Sequence, residues 1–163
     1  MNDNRGYMSE ENSQNLGNQS IKKILIPVVK SEYNDKIISY AIILAKGSGA
    51  SITAIHVLDK STQGDLGDVF PMKVEEYEKA TRKRAEELLT EVQQVTEKQG
   101  IKTGIEVIGA KSVPKGIIDY AKESGIDAIV IGTKGLTGVA KFLLGSVASA
   151  VIDHAHCPVF AIR

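Results

Sequence analysis

Residues 132–147 read Gly-Thr-Lys-Gly-Leu-Thr-Gly-Val-Ala-Lys-Phe-Leu-Leu-Gly-Ser-Val. At Gly132, Gly135 and Gly145 there is no Cβ, so main-chain N–H groups can approach a ligand closely and the backbone can take positive φ. Gly145-Ser146-Val147 then opens a helical pattern, and the free N–H groups and dipole at a helix start favour an anion by about 0.3–1 kcal/mol. The Ser146 hydroxyl adds a donor. This combination reads as a phosphate cradle, although glycines also serve simply to end strands and helices. Lys134 and Lys141 can reach an anion from this loop, but a solvated loop lysine is the commoner case.

The other chemistry-bearing residues point to structure. His56 lies within an apolar run and reads as a satisfied strand histidine. His154 and His156 flank a helix end, where a ring N–H suits the terminal carbonyls. With Cys157 they make too short a ligand set for zinc. Cys157 itself reads as a small buried hydrophobe. No Walker sequence and no Ser-His-Asp order occurs, and no paired carboxylates stand near the strand ends, so no efficient catalyst is expected.

Alternating elements position the loop. The run Ile24 to Val29, rich in β-branched residues, predicts a strand buried on both faces. Ser31 is placed to cap a helix carrying Ile37, Ala41 and Leu44, which stops at Gly47-Ser48-Gly49. Ile52 to Leu58 predicts a second strand. After a polar loop around Gly64 to Gly67, a long helix from Met72 to Lys98 presents Val74, Tyr77, Thr81, Ala85, Leu88, Val92 and Val95 at helical spacing. Gly104 to Ile108 predicts strand three, with Lys102 and Thr103 as a possible extension. A helix from Ser112 to Ser124-Gly125 carries Pro114 in its first turn. Strand four covers Ala128 to Ile131, a helix Ser146 to His154, and strand five Pro158 to Ile162. The alternation predicts a three-layer α/β fold around a five-stranded parallel sheet, with ligands beyond the carboxyl ends of the strands.

Composition narrows the function. The 163 residues carry twenty Lys+Arg against twenty Asp+Glu, net zero, so bulk electrostatic capture of nucleic acid is not expected. One cysteine excludes an intrachain disulfide and fits a cytoplasmic location. Apolar runs are far short of the roughly 20 residues a membrane helix needs. Residues 1–20 are polar and poor in aliphatic side chains and read as a disordered tail, leaving 21–163 as one domain.

The spacing Gly-x-x-Gly, nine residues, Gly-Ser occurs together with Lys23 to Val28, His56-Val57, Asp127 to Thr133, Leu143 to Ala148 and Cys157-Pro158-Val159. In this combination the chain resembles the universal stress protein family, in its nucleotide-binding branch, over nearly all of residues 22–163. The resemblance implies a Rossmann-like sheet of order 3-2-1-4-5, as in adenine nucleotide alpha hydrolases, and a cytoplasmic homodimer through residues 158–162. It also implies bound ATP, with AMP or ADP as alternatives and Mg or Mn as companion ion, and without catalytic motifs any ATP hydrolysis should be slow. Gly132, Gly135, Gly145, Ser146 and Val147 would surround the phosphates and ribose. Pro27, Val28 and Val57 would flank the adenine, and Val29 and Ile131, at the ends of strands one and four, complete the set. Gly138 lies outside the spacing. One position departs: that branch usually has Asp two residues after the proline, and here Val29 stands there, followed by Lys30. The glycine loop favours an ATP-binding regulatory protein. Val29 favours a relative that acts only through protein contacts.

Overall fold

A computed structural model describes residues 20–31, 34–61, 71–133 and 145–163. The elements are β1 (Lys23–Pro27), α1 (Asn34–Ser48), β2 (Ser51–Asp59), α2 (Pro71–Lys98), β3 (Thr103–Ala110), α3 (Val113–Glu123), β4 (Ala128–Gly132), α4 (Ser146–His154) and β5 (Val159–Ile162). The strands form one parallel sheet in the order β3-β2-β1-β4-β5. The expected tail, the loop at 64–67, and Lys134, Gly135, Gly138 and Lys141 lie outside the described residues, apart from Ser20 at the end of the tail.

Successive strand residues point to opposite faces, and here both faces are covered. On one, Ile24, Ile26, Ile52, Ala54 and Val130 pack with Ile37, Ile38, Ala41 and Ala45 of α1 and Leu89 and Val92 of α2. On the other, Leu25, Ile55, Ile129 and Ile131 meet Ile117 and Ala121 of α3 and Ala148 and Val151 of α4. At the amino-terminal edge the Asp127 carboxylate accepts hydrogen bonds from the main-chain N–H of Lys22 (2.8 Å) and Lys23 (2.9 Å), tying the start of β1 to the start of β4. Such bonds to a charged acceptor are stronger than neutral ones.

α2 and β3 differ from the sequence expectation, as does the end of β1. The buried stripe of α2 runs through Ala85, Leu89, Val92 and Thr96, while Tyr77 and Val95 are exposed and Leu88 is half-buried. Thr96 enters the core because its hydroxyl bonds back to the carbonyls of Val92 (3.0 Å) and Gln93 (2.9 Å), leaving no polar atom unpaired. Val74's side chain is outside the described set. β3 runs from Thr103 to Ala110; its start falls within the expected extension, and its carboxyl end runs two residues past Ile108 because the pairing with β2 continues to Leu58↔Gly109 and Asp59↔Ala110.

Positive φ occurs at Gly49, Gly100 and Gly125, each just past the end of a helix, where the chain turns left-handed to leave it. None of these glycines belongs to the phosphate-cradle sequence.

Candidate functional site

Because α1 carries the chain from β1 to one side and α4 carries it from β4 to the other, strand order reverses between β1 and β4. The space beyond the carboxyl ends of these two strands is the usual binding place of such sheets.

On the β1 side the regular strand ends at Pro27, two residues before the expected Val29. The Val28 N–H still bonds the Ile55 carbonyl at 2.8 Å. The Val28 carbonyl instead takes a bond from the His56 imidazole, whose Nδ1 lies 2.8 Å away. A carbonyl can only accept, so Nδ1 carries the hydrogen. The Val29 carbonyl accepts from the side-chain amide of Asn34, at the start of α1, at 2.8 Å. These two side chains turn the backbone out of the sheet. Val28 is buried and Val29 is 37% exposed. Ser31 accepts the Asn34 N–H through its main-chain carbonyl at 3.3 Å.

On the β4 side Ile131 is buried and faces α3 and α4. Gly132 does not adopt positive φ, contrary to the freedom expected of it. A Cβ there would lie 2.6 Å from the terminal Cδ1 of Ile37 on α1, so that side chain would have to shift to admit one. Thr133, buried, donates its N–H to the Ile162 carbonyl (2.9 Å) and accepts the Gly145 N–H at 2.8 Å. The last bond closes the base of the loop and sets the start of α4 beside the end of β4.

Gly145 occupies the N-cap of α4 with φ −61 and ψ 147, a conformation open to any residue, so it too needs no positive φ. It offers no side-chain cap, and its carbonyl accepts the Ser149 N–H at 2.9 Å. The N–H groups of Ser146, Val147 and Ala148, which precede the first intrahelical bond, therefore have no acceptor within the helix. Ser146 is exposed, Val147 packs partly on the core and Ala148 is buried. Val57 faces α3 and lies across from Gly116, where an added Cβ would meet Val57 Cγ1 at 3.2 Å. The structure thus brings Pro27, Val28, Val29, Ile131, Gly132, Gly145, Ser146 and Val147 to the carboxyl end of the two central strands. Val57 lies on the α3 side of β2, and Gly135 is outside the described residues.

The described residues at the ends of β1 and β4 carry hydrocarbon, hydroxyl and main-chain groups, with no carboxylate. At the end of β2 the Asp59 carboxylate accepts the Ser61 N–H at 2.8 Å, and bonds to Ser61 hold its pKa below the usual carboxylate value. His154 bonds the Ala150 carbonyl of its own helix (3.0 Å), as expected. His156 reaches the Ile126 carbonyl before β4 (3.1 Å), not the end of α4. Cys157 is half-buried, and burial followed by the nearby Asp127 charge pushes its thiol pKa up. Among the described residues no helix is long and apolar enough to cross a membrane.

A family model described as the universal stress protein family matches residues 20–163. The chain belongs to the universal stress protein family. A universal stress protein of Methanocaldococcus jannaschii is 34% identical over 148 residues, covering 90% of this chain and 85% of that one. The solved universal stress protein UspA of Lactobacillus plantarum superposes with a TM-score of 0.66 at 28% identity, covering 90% of this chain and all of the other. A universal stress protein of Archaeoglobus fulgidus, solved in complex with dAMP, has a TM-score of 0.62 at 23% identity over 89% of this chain and 99% of its own. At that identity the likeness is one of fold. Asn34 and Thr133, which fix the ends of β1 and β4 in this universal stress protein, are not among the site residues expected from the sequence, although Thr133 stands in the motif that carries the resemblance. An Asn at a helix start and a Thr between strand and glycine loop are the signals available for them.

Proposed function

We propose that this universal stress protein binds an adenine nucleotide, ATP with ADP or AMP as alternatives, in the crevice between the ends of β1 and β4. Binding would serve a regulatory role in the stress response and not efficient turnover. The observation that carries the reading is the start of α4. The bond from Gly145 to Thr133 directs that end to the switch point, and among the described residues no side chain caps it, so its N–H groups suit phosphate oxygens. The dAMP complex of the Archaeoglobus relative supports an adenine nucleotide as the class. Gly132, Gly135, Gly145, Ser146 and Val147 would face the phosphates and ribose, and Pro27, Val28, Val29, Val57 and Ile131 the base side. Magnesium or manganese would enter as the counter-ion of the phosphates.

The same reading makes the protein a cytoplasmic homodimer through residues 158–162. A single cysteine supports the compartment. The dimer is supported by Phe160, an exposed aromatic beside Tyr40 and Ile43 on the edge next to β5, where the three line an apolar groove.

Thermal unfolding tests the nucleotide. At a ligand concentration about 100 times Kd the gain is about 2.7 kcal/mol, and at roughly 2–4 °C per kcal/mol the Tm should rise by about 5–11 °C with ATP. A Tm unmoved by millimolar ATP, ADP and AMP would end the reading. Gly145→Val is conformationally permitted at φ −61, so its loss of the shift would locate the site at α4.

A second reading has its own observation. The exposed hydrocarbon of Val29, where the nucleotide-binding branch carries Asp, fits a protein that acts through protein contacts without a nucleotide.

A further inference from the structure

The sheet has two open edges, β3 and β5, and they are finished differently. In a strand the main-chain groups of alternate residues point to alternate sides. The bonds from Ile52 N–H to the Lys102 carbonyl (3.0 Å) and from Lys60 N–H to the Ala110 carbonyl (2.9 Å) put the even-numbered residues of β3 toward β2. Thr103, Ile105, Val107 and Gly109 therefore turn their carbonyls outward. On β5 the Pro158 and Ile162 carbonyls accept from Ile129 and Thr133 of the β4 side at 2.9 Å, so Val159 and Ala161 face outward.

Two of the outward carbonyls of β3 are occupied by side chains of α2. Arg82 donates from Nη1 to the Val107 carbonyl (3.2 Å), and Gln93 donates from Nε2 to the Thr103 carbonyl (2.8 Å). The geometry repeats along the edge. Arg82 and Gln93 are about three turns apart on one face of α2, a rise of roughly 16 Å, against roughly 13 Å between Thr103 and Val107 along the strand. Beyond them the methylenes of Lys60 fill the space a Cβ at Gly109 would need. Among the described residues no side chain is bonded to the outward carbonyls of Val159 or Ala161.

We infer that Arg82 and Gln93 guard the β3 edge against pairing with a second copy of this chain, leaving β5 as the edge at which copies can meet. An unprotected edge strand presents a row of main-chain groups that templates another strand. With both edges open, copies joined edge to edge could extend one sheet without closing. With β3 closed, association through β5 ends at a two-fold pair. The inference rests on the β5 dimer only for the size of the wild-type species; the guard itself is a property of β3.

Sedimentation of the full chain tests it. Arg82→Ala/Gln93→Ala, shown to be folded by circular dichroism, should form species larger than wild type that grow with concentration. Arg82→Lys, which keeps a donor, should stay at the wild-type size. A folded double variant with wild-type mass at every concentration overturns the inference, as does Arg82→Lys enlarging as much as Arg82→Ala. If the double variant does not fold, exposed Arg82 alone decides: a folded Arg82→Ala that enlarges supports the guard, and one that keeps the wild-type mass or loses its fold overturns it. A wild-type monomer together with an associating double variant would retain the guard and refute the β5 dimer. A wild-type dimer with an unchanged double variant would do the reverse.

Discussion

The imidazole Nδ1 of His56, in the middle of β2, lies 2.8 Å from the main-chain carbonyl oxygen of Val28, one residue past the end of β1. The histidine replaces the strand neighbour that this carbonyl would otherwise bond, and so sets where β1 stops and the crevice begins. His56→Leu keeps the bulk but leaves the half-buried carbonyl without its donor. The net contribution of such a bond is about 0.5–1.5 kcal/mol, so the Tm should fall by about 1–6 °C. Because the Val28-Val29 turn is loosened, ATP affinity should fall with it. A Tm drop with unchanged affinity in isothermal titration would confine His56 to stability.

The proposed homodimer is best tested at Ala161. Phe160 is paired with Val130, and its N–H is directed to the β4 side, so Phe160→Pro would break the sheet itself. The Ala161 N–H points outward, and proline is tolerated on an edge strand when the missing donor faces away from the sheet. Ala161→Pro should therefore leave the fold intact and give a monomer in sedimentation velocity. Ile43→Arg, on the exposed groove beside β5, should weaken the dimer in the same direction. A dimer that survives both changes would place its interface elsewhere.

Much of this architecture was legible in the sequence because a buried parallel sheet writes itself as apolar runs separated by helical periodicity. Strand order, the two-sided core and the start of α4 at Ser146 follow from that pattern and from the family resemblance. What was not legible depends on partners distant in sequence. The end of β1 was read two residues too far because Val28 and Val29 continue the apolar run, while the His56 and Asn34 side chains that divert the chain lie elsewhere. In α2 the reading favoured hydrocarbon at Leu88 and Val95 over Thr96, whose hydroxyl is hidden by a bond to its own helix. Gly132, which the sequence offers as conformational freedom, takes no positive φ and lies against the end of the Ile37 side chain, a neighbour distant in sequence. His156 was assigned to a helix end and instead bonds Ile126, thirty residues away.

Alkaline stability should depend on Cys157. Burial first, and the Asp127 carboxylate second, raise its pKa above the ordinary thiol value in the folded chain. The unfolded chain thus releases this proton first as pH rises, so the contribution is fully present below the ordinary thiol pKa and is lost as pH climbs through the raised one. Cys157→Ala should flatten part of the fall in Tm between neutral and alkaline pH. Tyr120, raised by burial and then by its bond to Glu106, adds a similar loss at higher pH, which Tyr120→Phe should remove separately. Parallel Tm profiles for wild type and Cys157→Ala would contradict this assignment.

If the crevice binds a nucleotide as proposed, Val29 should set how strongly it is held. It is exposed just past β1, its carbonyl is fixed by Asn34, and it stands where the nucleotide-binding branch of the family usually carries Asp. A carboxylate at this point can accept from ribose hydroxyls, and a hydrogen bond to a charged group contributes about 1.5–3 kcal/mol. Val29→Asp should then tighten ATP binding by roughly 10- to 150-fold, at about 1.4 kcal/mol per factor of ten, and make it more dependent on magnesium or manganese. Val29→Ala removes only exposed hydrocarbon and should change little. The adjoining exposed Lys30 offers an alternative, since its ammonium can act on the phosphates in place of the missing carboxylate. Isothermal titration of wild type, Val29→Asp and Lys30→Gly separates the two. Tighter binding in Val29→Asp, with Lys30→Gly near wild type, assigns the deficit to the valine; equal affinity in wild type and Val29→Asp, with a clear loss in Lys30→Gly, transfers the role to the lysine.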